Sequence, residues 1–77
     1  MEPADAIHAT MTSHSIPFHK ILKWIQEHGI ESVAKVMAMV PPNGFKSLTN
    51  TGLIAWIAET IPVIAKGGSV ARLEAAE

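Results

Sequence analysis

Residues 47–65 read SLTNTGLIAWIAETIPVIA and carry one charge, Glu59. That is too apolar for an ordinary surface helix. Its densest part, residues 53–65, is 13 residues long, against the about 20 needed to span a bilayer. A helix apolar on nearly every side must be covered on more than one of them. A small chain has limited means to do so, because domains of about 60 residues bury only about 60% of the surface their unfolded chains expose. Part of this apolar surface is therefore expected to be left for a partner.

Composition sharpens the expectation. The chain has 77 residues, 48% of them hydrophobic and 17% charged, where soluble domains average about 25% charged. It reads as one small domain, residues 1–77, with residues 1–14 and 67–77 as docking or flexible ends. The net charge of −1 supplies little repulsion against self-association. The six Lys and Arg are scattered singly, so the basic patch that nucleic-acid binding requires is missing. The absence of cysteine excludes disulfides and thiol chemistry and favours a cytoplasmic protein. The first fifteen residues, MEPADAIHATMTSHS, hold acids and no apolar core of signal-peptide length, so no secretion signal is expected. With no Tyr and four aromatics in all, a sandwich or barrel is disfavoured.

Helical periodicity predicts an all-α bundle of three main helices. In residues 16–28, Phe18, Ile21, Leu22 and Ile25 form one stripe opposite His19, Lys20, Lys23, Gln26 and Glu27. Ser15 is the expected cap and Pro17 fits the first turn. Gly29 is placed as a left-handed terminator that returns Ile30 against Ile25 in a Schellman motif. A second helix over residues 31–40 buries Val33, Val36, Met37 and Val40 and stops at Pro41-Pro42. The third, over about 48–65, starts near Ser47 or Thr51. It buries Leu53, Ile54, Ile57, Ile61 and Ile64, with Trp56 and Val63 flanking. Ala55, Ala58, Glu59, Pro62 and Ala65 fall on its far side. Pro62 is expected to kink or split this helix and Gly67-Gly68 to end it. Ala4, Ile7, His8 and Met11 fit a short helix after Pro3, and the good helix formers of residues 69–77 fit another.

No constellation points to catalysis. His19 and His28 lie on different sides of one helix, and His8 and His14 have no convergent partners, so no metal site is expected. The carboxylates do not pair as an acid and base would, and Glu59 reads as the solvent-facing residue of its helix. Ser13, His14 and Ser15 are adjacent in sequence, whereas a triad draws on separated residues and an oxyanion hole. Asn43-Gly44 is a turn signal and lacks the glycines of a phosphate loop. The order helix, Gly turn, helix of residues 16–40 also fits a helix-turn-helix, a reading ranked low because the second helix offers only Ser32 and Lys35 as donors.

Trp24 and Trp56 sit at the margins of their stripes. Core filling is the ordinary role for Trp, but Trp is also enriched among binding hot spots and Met on adaptable binding surfaces. The expected function is a non-enzymatic protein-interaction module, an accessory, adaptor or inhibitor protein. It would self-associate through Trp56, Ala55, Ala58, Glu59 and Ala65, with Trp24 and Met39 adding to the surface. No catalytic residue, cofactor, metal or nucleic-acid partner is expected. The alternative is a membrane-active or membrane-interface helical protein, although the third helix lacks the Lys and Arg that such helices carry; a helix-turn-helix DNA-binding regulator ranks third.

Overall fold

The computed structural model describes residues 2–77. These form four helices, α1 (Pro3–His14), α2 (Phe18–His28), α3 (Ile30–Ala38) and α4 (Asn50–Ala65). The all-α expectation holds, and the short helix foreseen after Pro3 is a full element. The two interior helices and the last lie within two residues of their expected bounds. Residues 69–77 are not helical.

Local chemistry explains where each helix begins and ends. α1 starts with Pro3 in its first turn, where a missing N–H costs nothing, and the Glu2 N–H donates to Asp5 Oδ2 (3.3 Å). It ends on Ser15, whose φ of 53° is left-handed. The next residue, Ile16, turns back, donates to the Met11 carbonyl (3.1 Å) and is buried. That is a Schellman terminator with serine in the place glycine usually takes. Ser15 therefore stops α1 and does not cap α2, which opens on Pro17 without a side-chain cap.

Gly29 also departs from expectation. At φ 88° and ψ 149° it is an extended hinge that ends α2 and starts α3 together. Its N–H donates to the Ile25 carbonyl (2.9 Å), but no reversal follows, and Ile30 becomes the exposed first residue of α3. The Schellman motif foreseen there sits instead at the end of α4. Gly67 (φ 82°) donates to the Ile64 carbonyl and Gly68 to the Val63 carbonyl, each at 2.9 Å. At the other end of α4 the cap is Thr49, not Ser47 or Thr51; its hydroxyl accepts from the Gly52 N–H (3.1 Å). Pro62 does not split α4, which runs unbroken through it. It lies close enough to the C-terminal end that most of the helix is unaffected by the lost N–H.

α3 is the hub. It is the shortest helix, yet α1, α2 and α4 all pack on it. Its side chains Val33, Ala34, Val36 and Met37 are buried, against Ile21 and Trp24 of α2, Ile7 of α1, and Leu53, Ile57 and Ile61 of α4 in one core. The Thr10 hydroxyl donates to the Met37 carbonyl (3.2 Å), which satisfies the buried hydroxyl and gives that carbonyl a second donor beside the Val40 N–H (3.1 Å). Beyond α4 the chain returns as a strap. Ala75 pairs antiparallel with Phe45, the Lys46 N–H donating to the Glu74 carbonyl and the Ala76 N–H to the Gly44 carbonyl, both at 2.8 Å. Tertiary pairing here overrides the helical propensity of its Ala, Arg, Leu and Glu residues.

Candidate interaction surfaces

The outward stripe of α4 is open. Ala55, Glu59 and Ala65 are exposed and Ala58 and Pro62 half-buried. The surface is smooth and nearly uncharged, with Glu59 facing solvent. Trp56 at its edge is half-buried, its ring edge-on to Phe45 with centroids 4.9 Å apart and planes at 64°. Such pairs hold both rings in place. Trp56 thus supports Phe45 while keeping part of its surface open.

Trp24 does not join that surface. Only 8% exposed, it belongs to the core with Ile21, so its expected place at the margin is corrected to the interior. α2 is turned about its axis relative to the predicted stripe, and its opposite edge is left out. Phe18 is 64% exposed and Leu22 43%. These two, one turn apart, were expected inside; they form an apolar patch on the flank beside His19 and Lys23. The relevant signal was residue size. When an apolar arc is too wide to be covered, the edge holding the largest side chain has most to gain from burial, and here that is the edge with Trp24.

Met39 lies away from the α4 stripe's residues in the sequence and ends α3. It is exposed and, with Pro41 and Phe45, lines a groove of about 760 Å³ whose other wall is residues 70–75. Sequence reasoning missed this groove because it exists only through the strap.

Among the described residues no group of three or more His, Asp or Glu could hold a metal ion. His8 and His19 are exposed; His14 and His28 are half-buried. The His14 ring is placed by the end of α1 with Nε2 3.3 Å from the Pro41 carbonyl oxygen. No described helix is long and apolar enough to cross a membrane. No protein family, curated protein or solved structure matches the chain.

Proposed function

We propose that the chain is a non-enzymatic protein-interaction module that self-associates. The observation that carries this reading is the exposure of Phe18 and Leu22 side by side on α2. A chain with little charge to spare gains from covering such a pair, since apolar burial contributes about 25 cal/mol per Å². A two-fold axis across the patch sets Phe18 and Leu22 of one copy against the same residues of a second, with Lys20 and Glu27 left on the far face of α2. The outward stripe of α4, with Ala55, Ala58 and Ala65, supplies a second face on which a helix can approach closely.

Light scattering of the purified chain tests this. The expected mass is above that of one chain. Phe18→Glu with Leu22→Glu should return it to one chain without changing the helical circular dichroism. A mass unchanged by this pair but lowered by Ala58→Arg assigns self-association to α4 instead. A single-chain mass throughout rejects self-association. Binding to anionic vesicles that is lost in the Phe18/Leu22 variant would assign the patch to a membrane surface.

A further inference from the structure

The turn between α3 and α4 draws several contacts onto two residues. The Gly44 N–H donates to the Pro41 carbonyl (2.9 Å), and the Gly44 carbonyl accepts from the Ala76 N–H (2.8 Å). The His14 ring places Nε2 3.3 Å from the same Pro41 oxygen. A Cβ built on Gly44 would stand 3.5 Å from His14 Cε1, so the ring also packs against the glycine backbone. Gly44 is buried, but Asn43 just before it is exposed.

Asparagine followed by glycine is a reactive pair. The glycine nitrogen, unshielded by any Cβ of its own residue, attacks the asparagine side-chain carbonyl carbon. That nitrogen loses its proton, ammonia leaves and a cyclic succinimide results; water then opens the ring at either carbonyl to give aspartate or isoaspartate. In isoaspartate the main chain runs through the side chain. The closed turn holds this reaction back. Its Pro41–Gly44 bond, with Pro42 in second position and no positive φ at Asn43, defines a type I turn. Such a turn keeps ψ of Asn43 at about 0°, whereas ring closure needs the Gly44 nitrogen eclipsed with Asn43 Cβ, about a third of a rotation away. The proton that must leave is also the one held by the Pro41 carbonyl.

We propose that Asn43-Gly44 is a self-modification site: the chain converts to isoaspartate there when the turn opens, and conversion permanently unlatches residues 69–77. The added main-chain carbon lengthens the path from residue 43 to Gly44 by about 1.5 Å. Hydrogen bonds tolerate a spread of only about 0.5 Å, so the bonds on the two sides of Gly44, to Pro41 and to Ala76, are not re-formed together. The strap then keeps one main-chain bond, from the Lys46 N–H to the Glu74 carbonyl, and the exposed Lys46–Glu74 pair at 3.7 Å, which contributes little. Its side chains do not compensate, since Val70, Leu73 and Ala76 are only half-buried. Asn50 is a control within the chain. Also exposed, it lies in the first turn of α4, where helical backbone and the branched Thr51 both hinder attack. The site uses neither α2 nor the outward stripe of α4 and does not rest on the self-association reading.

Ageing the full chain in mildly alkaline buffer, beside a synthetic peptide of residues 40–47, tests this. Mass spectrometry should find the Asn43 amide replaced by a carboxyl, in the isoaspartyl linkage, at about a tenth of the peptide's rate, since only the opened turn reacts. Asn50 should stay intact. Pro42→Gly, which loosens the turn, should speed conversion about threefold. Asn43→Gln should abolish it, because the longer side chain must close a larger ring. In the converted chain the Ala76 amide should lose its protection from hydrogen exchange while Ile57 and Ile61 keep theirs. Freshly purified Asn43→Asp, which adds the same charge without the extra carbon, should keep Ala76 protected. Asn43 untouched after many peptide half-lives, conversion as fast as the peptide's, or isoaspartate with Ala76 still protected each overturns the proposal. So does an Ala76 amide unprotected before ageing, since there would then be no latch. Should Pro42→Gly fail to fold, the comparison of chain and peptide decides.

Discussion

α2 carries an apolar arc of roughly 160° at about 100° per residue, whereas α4 is apolar on nearly every side, and the two are covered differently. On α4 the larger side chains run from Val63 to Ile54. The centre, Leu53, Ile57 and Ile61, is buried; Ile54 and Trp56, the latter under Phe45, are half-buried, and Val63 is 38% exposed. On α2 the arc runs from Trp24 to Leu22. One edge is buried to 8% exposure at Trp24; the other is left out at Phe18 and Leu22. The difference lies in the neighbours. α4 meets α3, α2 and the loop bearing Phe45, whereas α2 packs chiefly on α3 and α4. An apolar arc wider than the about 100° stripe that one core contact uses fixes that a helix is buried, but its surroundings decide which edge. The two most exposed large apolar side chains, Phe18 and Leu22, therefore lie on α2.

The most damaging test of this contrast is to truncate both edges of α2. Trp24→Ala should cost about 3 to 5 kcal/mol, as large-to-small aromatic changes in cores do. Leu22→Ala should stay within about 0.5 kcal/mol, as surface changes do. Urea denaturation measures both, and a reversed ranking would mean that α2 is rotated by the width of its arc. Next in size is association. Phe18→Ala should weaken it by at least about 2 kcal/mol, the level that defines a hot spot, measured as a shift in the dimerisation midpoint on dilution. Trp56→Ala sharpens the comparison, because Trp56 divides its surface between Phe45 and solvent. It should weaken association less than Phe18→Ala if α2 is the contact and more if α4 is.

How much of this was legible follows from the range of each signal. The periodicity of Val33, Val36 and Met37 found α3 and its buried face, and that of Leu53, Ile57 and Ile61 found the buried face of α4, because each centre is apolar however the neighbours are arranged. The orientation of α2 was not legible from periodicity: Phe18 and Trp24 are equally apolar at the level of pattern, and only the greater size of Trp24 separates them. Residues 69–77 misled for a related reason. Their helix propensity is local, and the pairing with residues 44–46 is made by a part of the chain some thirty positions away. Of the candidate interaction residues, Ala55, Ala58, Glu59 and Ala65 share one outward stripe as read. Trp24 and Met39 do not, because one was drawn into the core and the other to the strap. Terminators were half legible. Gly67 and Ser15 both reverse the chain, but only glycine advertises it.

The ends of the same two helices extend the contrast at smaller scale. Gly29 and Gly67 both have positive φ, and no atom lies within 4 Å of a Cβ built at either, so substitution there tests the backbone alone. Gly67 closes a Schellman motif, where asparagine also serves. Gly29, with ψ at 149°, lies near a region that glycine alone populates, where strain costs about 1 to 3 kcal/mol. Gly29→Ala should therefore lower stability more than Gly67→Ala, and Asn should recover part of the loss at position 67 but not at 29. Equal costs at the two positions would show that the α2–α3 joint relaxes to an ordinary turn.

The smallest expected effect concerns how the two helices start. α4 has a side-chain cap, the Thr49 hydroxyl accepting from Gly52 at 3.1 Å, whereas α2 begins on Pro17 with none. Thr49→Ala removes one acceptor from a helix end that faces solvent, so water can replace part of it; such caps contribute about 1 kcal/mol. Thr49→Ser keeps the hydroxyl and should recover most of that. α2 has no corresponding bond to lose. Its start is held by Ile16, which is buried beneath the α1 terminator, and by the fixed φ of Pro17. Ile16→Ala should consequently cost more than Thr49→Ala, even though neither residue lies inside a helix. If thermal melting ranks them the other way, the junction between α1 and α2 is held by the turn at Ser15 and not by the buried side chain that follows it.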